Sequence, residues 1–472
     1  MESLISAEII RTSNIAFGTS GARGLVVDFR PEVCAAFTIN FLNIIASAKS
    51  VAIGIDNRPS SYGMAQACAA AAESMGFQVL YFGVTPTPAL AFYAMDHQIP
   101  AIMITGSHIP FDRNGLKFYR PDGEITKQDE RVILQGELPV ALPGELPSLA
   151  ASDDANTLYI QRYLSIIEHD ALKGMRIGIY EHSSAGRDIY PQIFGNLGAE
   201  VIRIGRSDEF VPIDTEAVSE IDKKRAQEWV AEYQLDALFS TDGDGDRPLL
   251  SDENGVWLRG DILGLLCSQH LHIDAVAVPV SCNSAIADGG FFEHVELTKI
   301  GSPYLIETFG ILTKKYSKVA GFEANGGYLL ASDIDYGKAS IKALPTRDAV
   351  LPALVLLVSS KHIPIFEQVQ ALPPRFTASN RLQNFPTEKS RLLLEMLSTQ
   401  PQAALSSLGM NQAVVVNTDM LDGARILLNT KDIVHFRPSG NAPELRCYAE
   451  SDSIVKAEQL VDLFLKNIRE KM

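Results

Sequence analysis

VAIGIDNRPSSYGMAQACAAAAESMGFQVLYFGVTPTPALAFYAMDHQIPAIMIT, residues 51–105, alternates short apolar runs with longer Ala-rich stretches. VAIGI (51–55), QVLYFG (78–83) and AIMIT (101–105) read as strands; residues 62–74 and the stretch after TPTP read as helices. That order is the grammar of βαβ units. It restarts at MRIGIY (175–180), with a helix through PQIFGNLG and strands EVIRIG and LDALFS, and again at DAVAVPV (274–280), followed by VELTKI and a helix from residue 304. A short strand before Gly321 and an amphipathic helix over 347–358 complete the third unit. Beyond residue 373 the pattern changes to AVVVN, the hairpin-like TDMLDGARILL, IVHF, LRCYAE and a closing amphipathic helix over 453–466. The Pro- and Leu-rich stretch 137–154 breaks the periodicity and reads as an exposed connection. The expected fold is α/β: three related α/β domains (1–152, 153–258, 259–372) and a C-terminal α+β domain (373–472).

Bulk properties agree with several soluble domains. A chain of 472 residues exceeds what one hydrophobic core organises. The formal charge of -16, with no Lys/Arg-rich block, excludes a nucleic-acid surface. Five scattered cysteines without a CxxC pair indicate neither a disulfide framework nor a zinc site. No run of roughly 18 apolar residues occurs, so neither export nor membrane spanning is indicated and a cytoplasmic location is expected.

Four loops carry residues capable of chemistry. In MITGSHIPFDRNGLKFYRPDGEI (103–125) a strand stops at Gly106 and presents Ser107 and His108 before Pro110 bars a helix, with Lys117 nearby. An exposed serine beside an imidazole and a cation has the makings of a nucleophile, although Thr-Gly-Ser is also an ordinary turn. LFSTDGDGDRPLLSDENG sets Asp242, Asp244 and Asp246 at alternate positions between two strands. Three carboxylates so close repel unless a hard cation neutralises them, and their oxygens suit Mg²⁺; a solvated acidic turn is the metal-free alternative. A calcium EF-hand is rejected because Arg247 occupies the sixth position and the flanks are strands. GFEANGGYLL places Glu323 and Asn325 on a tight loop able to bond sugar hydroxyls, or to make a plain hairpin turn. HFRPSGNAPELR offers Arg437, Ser439, Gly440 and Asn441 as a phosphate cradle. FGTSGARG (17–24) adds Gly-rich backbone and Arg23 without the spacing of a dinucleotide fingerprint.

Taken together and in order, FGTSGARG, TGSHIP with NGLKF, DGDGDR, TKIGSPY, GFEANGG and RPSGNAPELR resemble the α-D-phosphohexomutase superfamily along essentially the whole chain, with wording most like its bacterial phosphomannomutase branch. The resemblance implies three α/β domains with mixed sheets and a fourth domain around a central cleft, and a phosphoryl group carried on Ser107. It also implies Mg²⁺ held by Asp242, Asp244, Asp246 and the serine-borne group, with Arg23, His108, Lys117 and Arg247 around them. Glu323 and Asn325 would bind the hexose, and Arg437, Ser439, Gly440 and Asn441 its distal phosphate. The implied reaction interconverts hexose 6-phosphate and hexose 1-phosphate through a hexose 1,6-bisphosphate, which also serves as activator, with mannose the leading hexose and glucose a further candidate. Phosphoglucosamine mutase, a metal-dependent sugar-phosphate phosphatase and a sugar-phosphate-binding protein are the alternatives. Ser302 and Ser281 depart from the His and Lys of many relatives, and Asn325 and Gly327 from their Ser and His, which leaves the sugar preference open.

Overall fold

The computed structural model describes residues 4–18, 21–45, 48–141, 145–336, 339–438 and 443–472. Its first large sheet has seven strands. Ser50–Ile55 lies between Gln78–Val84 and Ala101–Ile104, parallel to both, and Arg113–Arg120 runs antiparallel to Ala101–Ile104. Ala22–Leu25 and Ala16–Phe17 extend that side, and Gly123–Glu124 pairs with Arg113–Arg120. Helices Ser61–Ser74 and Thr87–Asp96 are the crossovers between the parallel strands. All four residues of Ala101–Ile104 are buried, as expected of a parallel strand covered on both faces.

The second sheet, ordered Glu200–Ile204, Arg176–Tyr180, Ala237–Thr241, Pro248–Leu250, repeats this scheme. So does the third, with His294–Thr298, Ala275–Pro279, Val319–Phe322, Tyr328–Leu330 and Leu344–Asp348. In all three sheets a parallel strand turns back directly into an antiparallel one (Ala101–Ile104 into Arg113–Arg120, Ala237–Thr241 into Pro248–Leu250, Val319–Phe322 into Tyr328–Leu330). The three loops made by those reversals carry Ser107, the aspartates and Glu323, each at the carboxyl end of a strand, where ligands of α/β sheets bind. The last sheet is wholly antiparallel, ordered Phe376–Leu382, Leu445–Ser451, Ile433–Pro438, Ala424–Leu428, Val415–Asp419, and is backed by helices Thr387–Thr399 and Ile454–Lys471.

One apolar core runs without interruption from the inner face of the second sheet (Ile177, Ile179, Phe239) to that of the third (Val276, Val278, Phe322), with helices Gly260–His270 and Val350–Ser360 inside it. Three details differ from the sequence expectation. The helix expected over 347–358 begins at Val350, because the Asp348 carboxylate accepts the Val350 and Leu351 N–H groups and leaves Arg347 in the preceding strand. The described residues of 137–154 are exposed or half-buried apart from Val140, as expected, but they do not hang free: Pro139–Val140 pairs with Leu4–Ile5, and Pro147 and Leu149 bond to Gln66 and Tyr62 on the first domain's helix. The closing helix extends to Lys471 and is capped by the Ser453 hydroxyl.

Candidate active site

Ser107 is held by its backbone before its side chain does anything. Its φ of +54° is left-handed, a conformation that costs a non-glycine residue about 1–2 kcal/mol and persists only when neighbours enforce it. The enforcing group is Arg58, 2 % exposed. Its Nη2 donates to Ser107 O at 3.0 Å and to Ile109 O, its Nη1 to Pro110 O at 2.7 Å and Arg113 O at 2.9 Å, and its Nε to Asp56 Oδ2 at 3.1 Å. Asp56 also accepts from Thr105 Oγ1 at 2.8 Å, and that hydroxyl accepts the Ser107 N–H at 2.8 Å. The loop after the strand is therefore wound around a buried ion pair.

The serine is buried, not exposed as its place at a strand end suggests, because the second sheet's acidic loop closes over it. Ser107 Oγ donates to Asp242 Oδ2 at 2.6 Å. Residue 243 must be glycine for this approach, since a Cβ there would stand 2.6 Å from Ser107 O. His108 Nδ1 lies 3.3 Å from Ser107 Oγ and 3.1 Å from Arg247 Nη1. Burial and the adjacent guanidinium push its pKa down to about 3, so the imidazole is neutral and Nδ1 accepts from Arg247.

Asp242, Asp244 and Asp246 are all buried and can each offer an oxygen within 4.8 Å of the others. Lys117 Nζ bridges Asp244 Oδ2 at 2.6 Å and Asp246 Oδ2 at 2.7 Å, and Thr87 Oγ1 adds a bond to Asp244 at 2.5 Å. Burial and the two neighbouring carboxylates hold Asp242 well above the usual carboxylate range. For Asp244 burial acts upward too, but the Lys117 ammonium outweighs it and the carboxyl falls below that range. Lys117 is raised in turn, its burial overcome by Asp244 and Asp246. Asp244 Oδ1 and Asp246 Oδ1 are buried without a hydrogen-bond partner. Unpartnered buried carboxylate oxygens are costly, and a hard-oxygen cluster of this kind fits a divalent cation. The triad can bind a metal.

The remaining expected residues stand further out. Arg23, opposite Gly115 in the first sheet, is pushed down to about 10 by burial and by Arg247 and remains a cation at neutral pH. Glu323 is buried, and its Oε2 accepts from Arg347 Nε at 2.5 Å; Asn325 Oδ1 accepts from Gly327 N at 3.0 Å, while Thr215 Oγ1 ties Asn325 O to the second domain at 2.7 Å. Arg437 Nε donates to Asp422 Oδ1 at 3.0 Å, and Asp422 Oδ2 accepts the Ile300 N–H at 2.9 Å, which links the last sheet to the TKIGSPY loop. Among the described residues Arg437 makes no contact with the Ser107 cluster. Ser439, Gly440 and Asn441 lie outside the described residues. Ser302 Oγ donates to Glu124 Oε2 at 2.8 Å, joining the third domain to the first. Arg58, Thr87 and Arg347 were not singled out from the sequence. The Asp-x-Arg that follows strand VAIGI was the available signal for Arg58; Thr87 and Arg347 had none beyond their own polarity inside apolar stretches.

The family described as "Phosphoglucomutase/phosphomannomutase, alpha/beta/alpha domain I" matches residues 14–136, and its domain II counterpart residues 157–255. Among curated proteins, a phosphomannomutase of Salmonella muenchen is 57% identical over 468 residues, 98% of either chain. A phosphomannomutase of Sinorhizobium fredii is 41% identical over 94% of this chain and 97% of its own. Among solved structures, a phosphoglucomutase/phosphomannomutase family protein from Burkholderia thailandensis superposes with a TM-score of 0.72 at 16% identity, covering 96% of this chain and 97% of its own. N-acetylphosphoglucosamine mutase of Aspergillus fumigatus, solved with GlcNAc-6P and magnesium, superposes at 0.60 and 12% identity over 98% and 97%. A fold with one reactive loop per sheet and full-length identity at this level give one conclusion: the chain belongs to the phosphoglucomutase/phosphomannomutase family of α-D-phosphohexomutases.

Proposed function

We propose that this phosphohexomutase interconverts mannose 6-phosphate and mannose 1-phosphate, with Ser107 as the phosphoryl carrier. The observation that carries the reading is the 2.6 Å bond between Ser107 Oγ and Asp242, which sets a loop-end hydroxyl of the first domain against the acidic triad of the second. Two relatives at 57% and 41% identity carry the name phosphomannomutase, which supports mannose. Domains divided at 152, 258 and 372 account for the four large sheets, since no large sheet draws strands from both sides of those positions.

In the first transfer the P–O bond to Ser107 breaks and a new one forms to the free O1 or O6 of the hexose monophosphate. In that transfer the hexose hydroxyl gives up its proton and the departing Ser107 Oγ takes one, and the return transfer reverses both moves. His108, 3.3 Å from Ser107 Oγ, and Lys117, between Asp244 and Asp246, are the two groups placed to move these protons. Lys117, protonated between two carboxylates, also supplies a fixed positive charge. Arg23 and Arg247 add positive charge where phosphoryl oxygens gather. Asp242, Asp244 and Asp246, with an oxygen of the serine-borne group, would hold Mg²⁺. When bound, that ion spreads the charge of the transferring phosphoryl group. Glu323 and Asn325 hold ring hydroxyls, and Arg437 with Ser439, Gly440 and Asn441 holds the phosphate that is not reacting. A bisphosphate that turns around between half-reactions must be kept from water, and the last domain, tied to the third through Asp422, is the closing element. Hexose 1,6-bisphosphate restores the phosphoserine whenever an intermediate escapes.

The test compares rates on mannose 1-phosphate, glucose 1-phosphate and glucosamine 1-phosphate with Mg²⁺ and hexose 1,6-bisphosphate present, and weighs Ser107 by mass spectrometry. Fastest turnover on the mannose ester and a phosphate on Ser107 are expected. Full activity in Ser107→Ala, or steady release of inorganic phosphate as the main product, overturns the reading.

A further inference from the structure

Strand Leu344–Asp348 ends beside the 323–327 loop, and its Arg347 is 3 % exposed. The Nε donates to Glu323 Oε2 at 2.5 Å, and Nη1 stands 4.0 Å from Asp246 Oδ2. One guanidinium therefore spans from the loop of Glu323 to the acidic loop on the neighbouring sheet. Its charge reaches the other cations of the cluster, opposing protonation of both Arg23 and Lys117.

The path of this side chain depends on residue 327. A Cβ on Gly327 would lie 2.5 Å from Arg347 Cδ, 2.7 Å from Cγ and 3.0 Å from Nε. Gly327 does not have a left-handed φ, so the turn itself admits any residue. The missing side chain is needed by the arginine, which occupies the space a Cβ would enter.

We propose that Arg347 is a positioning residue that fixes, through Glu323, which hydroxyl of the hexose the site requires. A buried carboxylate without a partner swings among rotamers; one clamped by a charge-assisted bond accepts hydroxyls from a single position. A fixed buried acceptor penalises a sugar that lacks the matching hydroxyl far more than a mobile one does. The inference rests on reading Glu323 as a sugar-binding group.

The experiment measures kcat/KM on mannose 1-phosphate and on its 3-deoxy and 4-deoxy analogues, with Mg²⁺ and bisphosphate, for the wild type, Glu323→Gln, Arg347→Met, Arg347→Ala, Gly327→Ala and the Gly327→Ala/Arg347→Ala pair. Arg347→Met should lose about 10–100-fold on mannose 1-phosphate and most of the discrimination against one deoxy analogue. Gly327→Ala, which displaces the arginine without deleting it, should do the same more weakly, and should add nothing in the Arg347→Ala background. Should Glu323→Gln keep full rate and discrimination, the sugar-loop reading fails. If Glu323→Gln loses discrimination while Arg347→Met keeps it, or if Gly327→Ala harms the Arg347→Ala protein as much as the wild type, the role assigned to Arg347 is wrong even though the sugar loop stands.

Discussion

Arg58→Met removes the guanidinium around which the Ser107 loop is wound while keeping most of the apolar stem. Its Nε ion pair with Asp56 is fully buried, and removing one partner of such a pair costs ~3–5 kcal/mol. Four carbonyls, of Ser107, Ile109, Pro110 and Arg113, lose their donor at the same time, and Phe210 loses the cation that sits 3.9 Å above its ring. Some of these carbonyls will recruit water, so the ion-pair figure is a reasonable total. At about 2–4 °C per kcal/mol for a unit of roughly 150 residues, a loss of ~4 kcal/mol lowers the first domain's unfolding midpoint by about 8–16 °C. Activity should fall further than stability. Without its carbonyl anchor Ser107 can relax from φ +54°, and a displacement of about 1 Å at a reacting atom costs on the order of 10²-fold in rate. Differential scanning calorimetry and kcat at a temperature where the variant is folded measure the two effects separately. A midpoint within about 3 °C of the wild type, together with unchanged kcat, would show that neither the ion pair nor the carbonyl clamp matters and would refute the account of this loop.

Three further outcomes follow from other contacts. Mg²⁺ at about 100 times its Kd should stabilise the protein by about 2.7 kcal/mol, and Asp244→Asn should abolish most of the resulting rise in Tm; an equal rise in the variant places the ion elsewhere. His182, buried with its pKa pushed down to about 4 chiefly by desolvation, is neutral in the fold, so its contribution is complete above about pH 6.5 and is lost as pH falls towards 4. At 1.36 kcal/mol per pH unit that loss approaches about 3 kcal/mol, and His182→Asn, which suits the positive φ, should flatten the acid limb of a Tm-against-pH curve; an unaltered limb assigns acid lability to other groups. Asp422→Ala should release both Arg437 and the Ile300 amide, seen as faster hydrogen exchange at Ile300 and a raised KM for hexose phosphate; slow exchange at that amide would mean the two domains are held by other bonds.

The parts of this molecule that were legible in the sequence are those encoded locally. AIMIT and LDALFS announce strands because both of their faces are buried, and Pro110 and the DGDGD glycines announce reversals because a helix does not continue readily through them. The nearness of Ser107 to Asp242 is a contact over 135 positions that no local pattern contains, and it was expected only because the order of six motifs resembled a known family. The sequence places Arg347 in a helix, because RDAVLPALVLLV reads as one continuous amphipathic stretch. Asp348, whose carboxylate also takes the hydroxyls of Tyr159 and Tyr163, starts the helix later and leaves the arginine facing Glu323. Arg58 escaped notice because it recognises carbonyl oxygens, and every residue type supplies those.

The uninterrupted core between the second and third sheets has a consequence for how the chain can be divided. A fragment ending near Leu258 would strip Ile177, Ile179 and Phe239 of their cover, and one starting there would do the same to Val276, Val278 and Phe322. Neither half could shed water from that face alone. Although the large sheets number four, the second and third share one apolar interior, and it holds the acidic turn and the Glu323 turn in fixed relation.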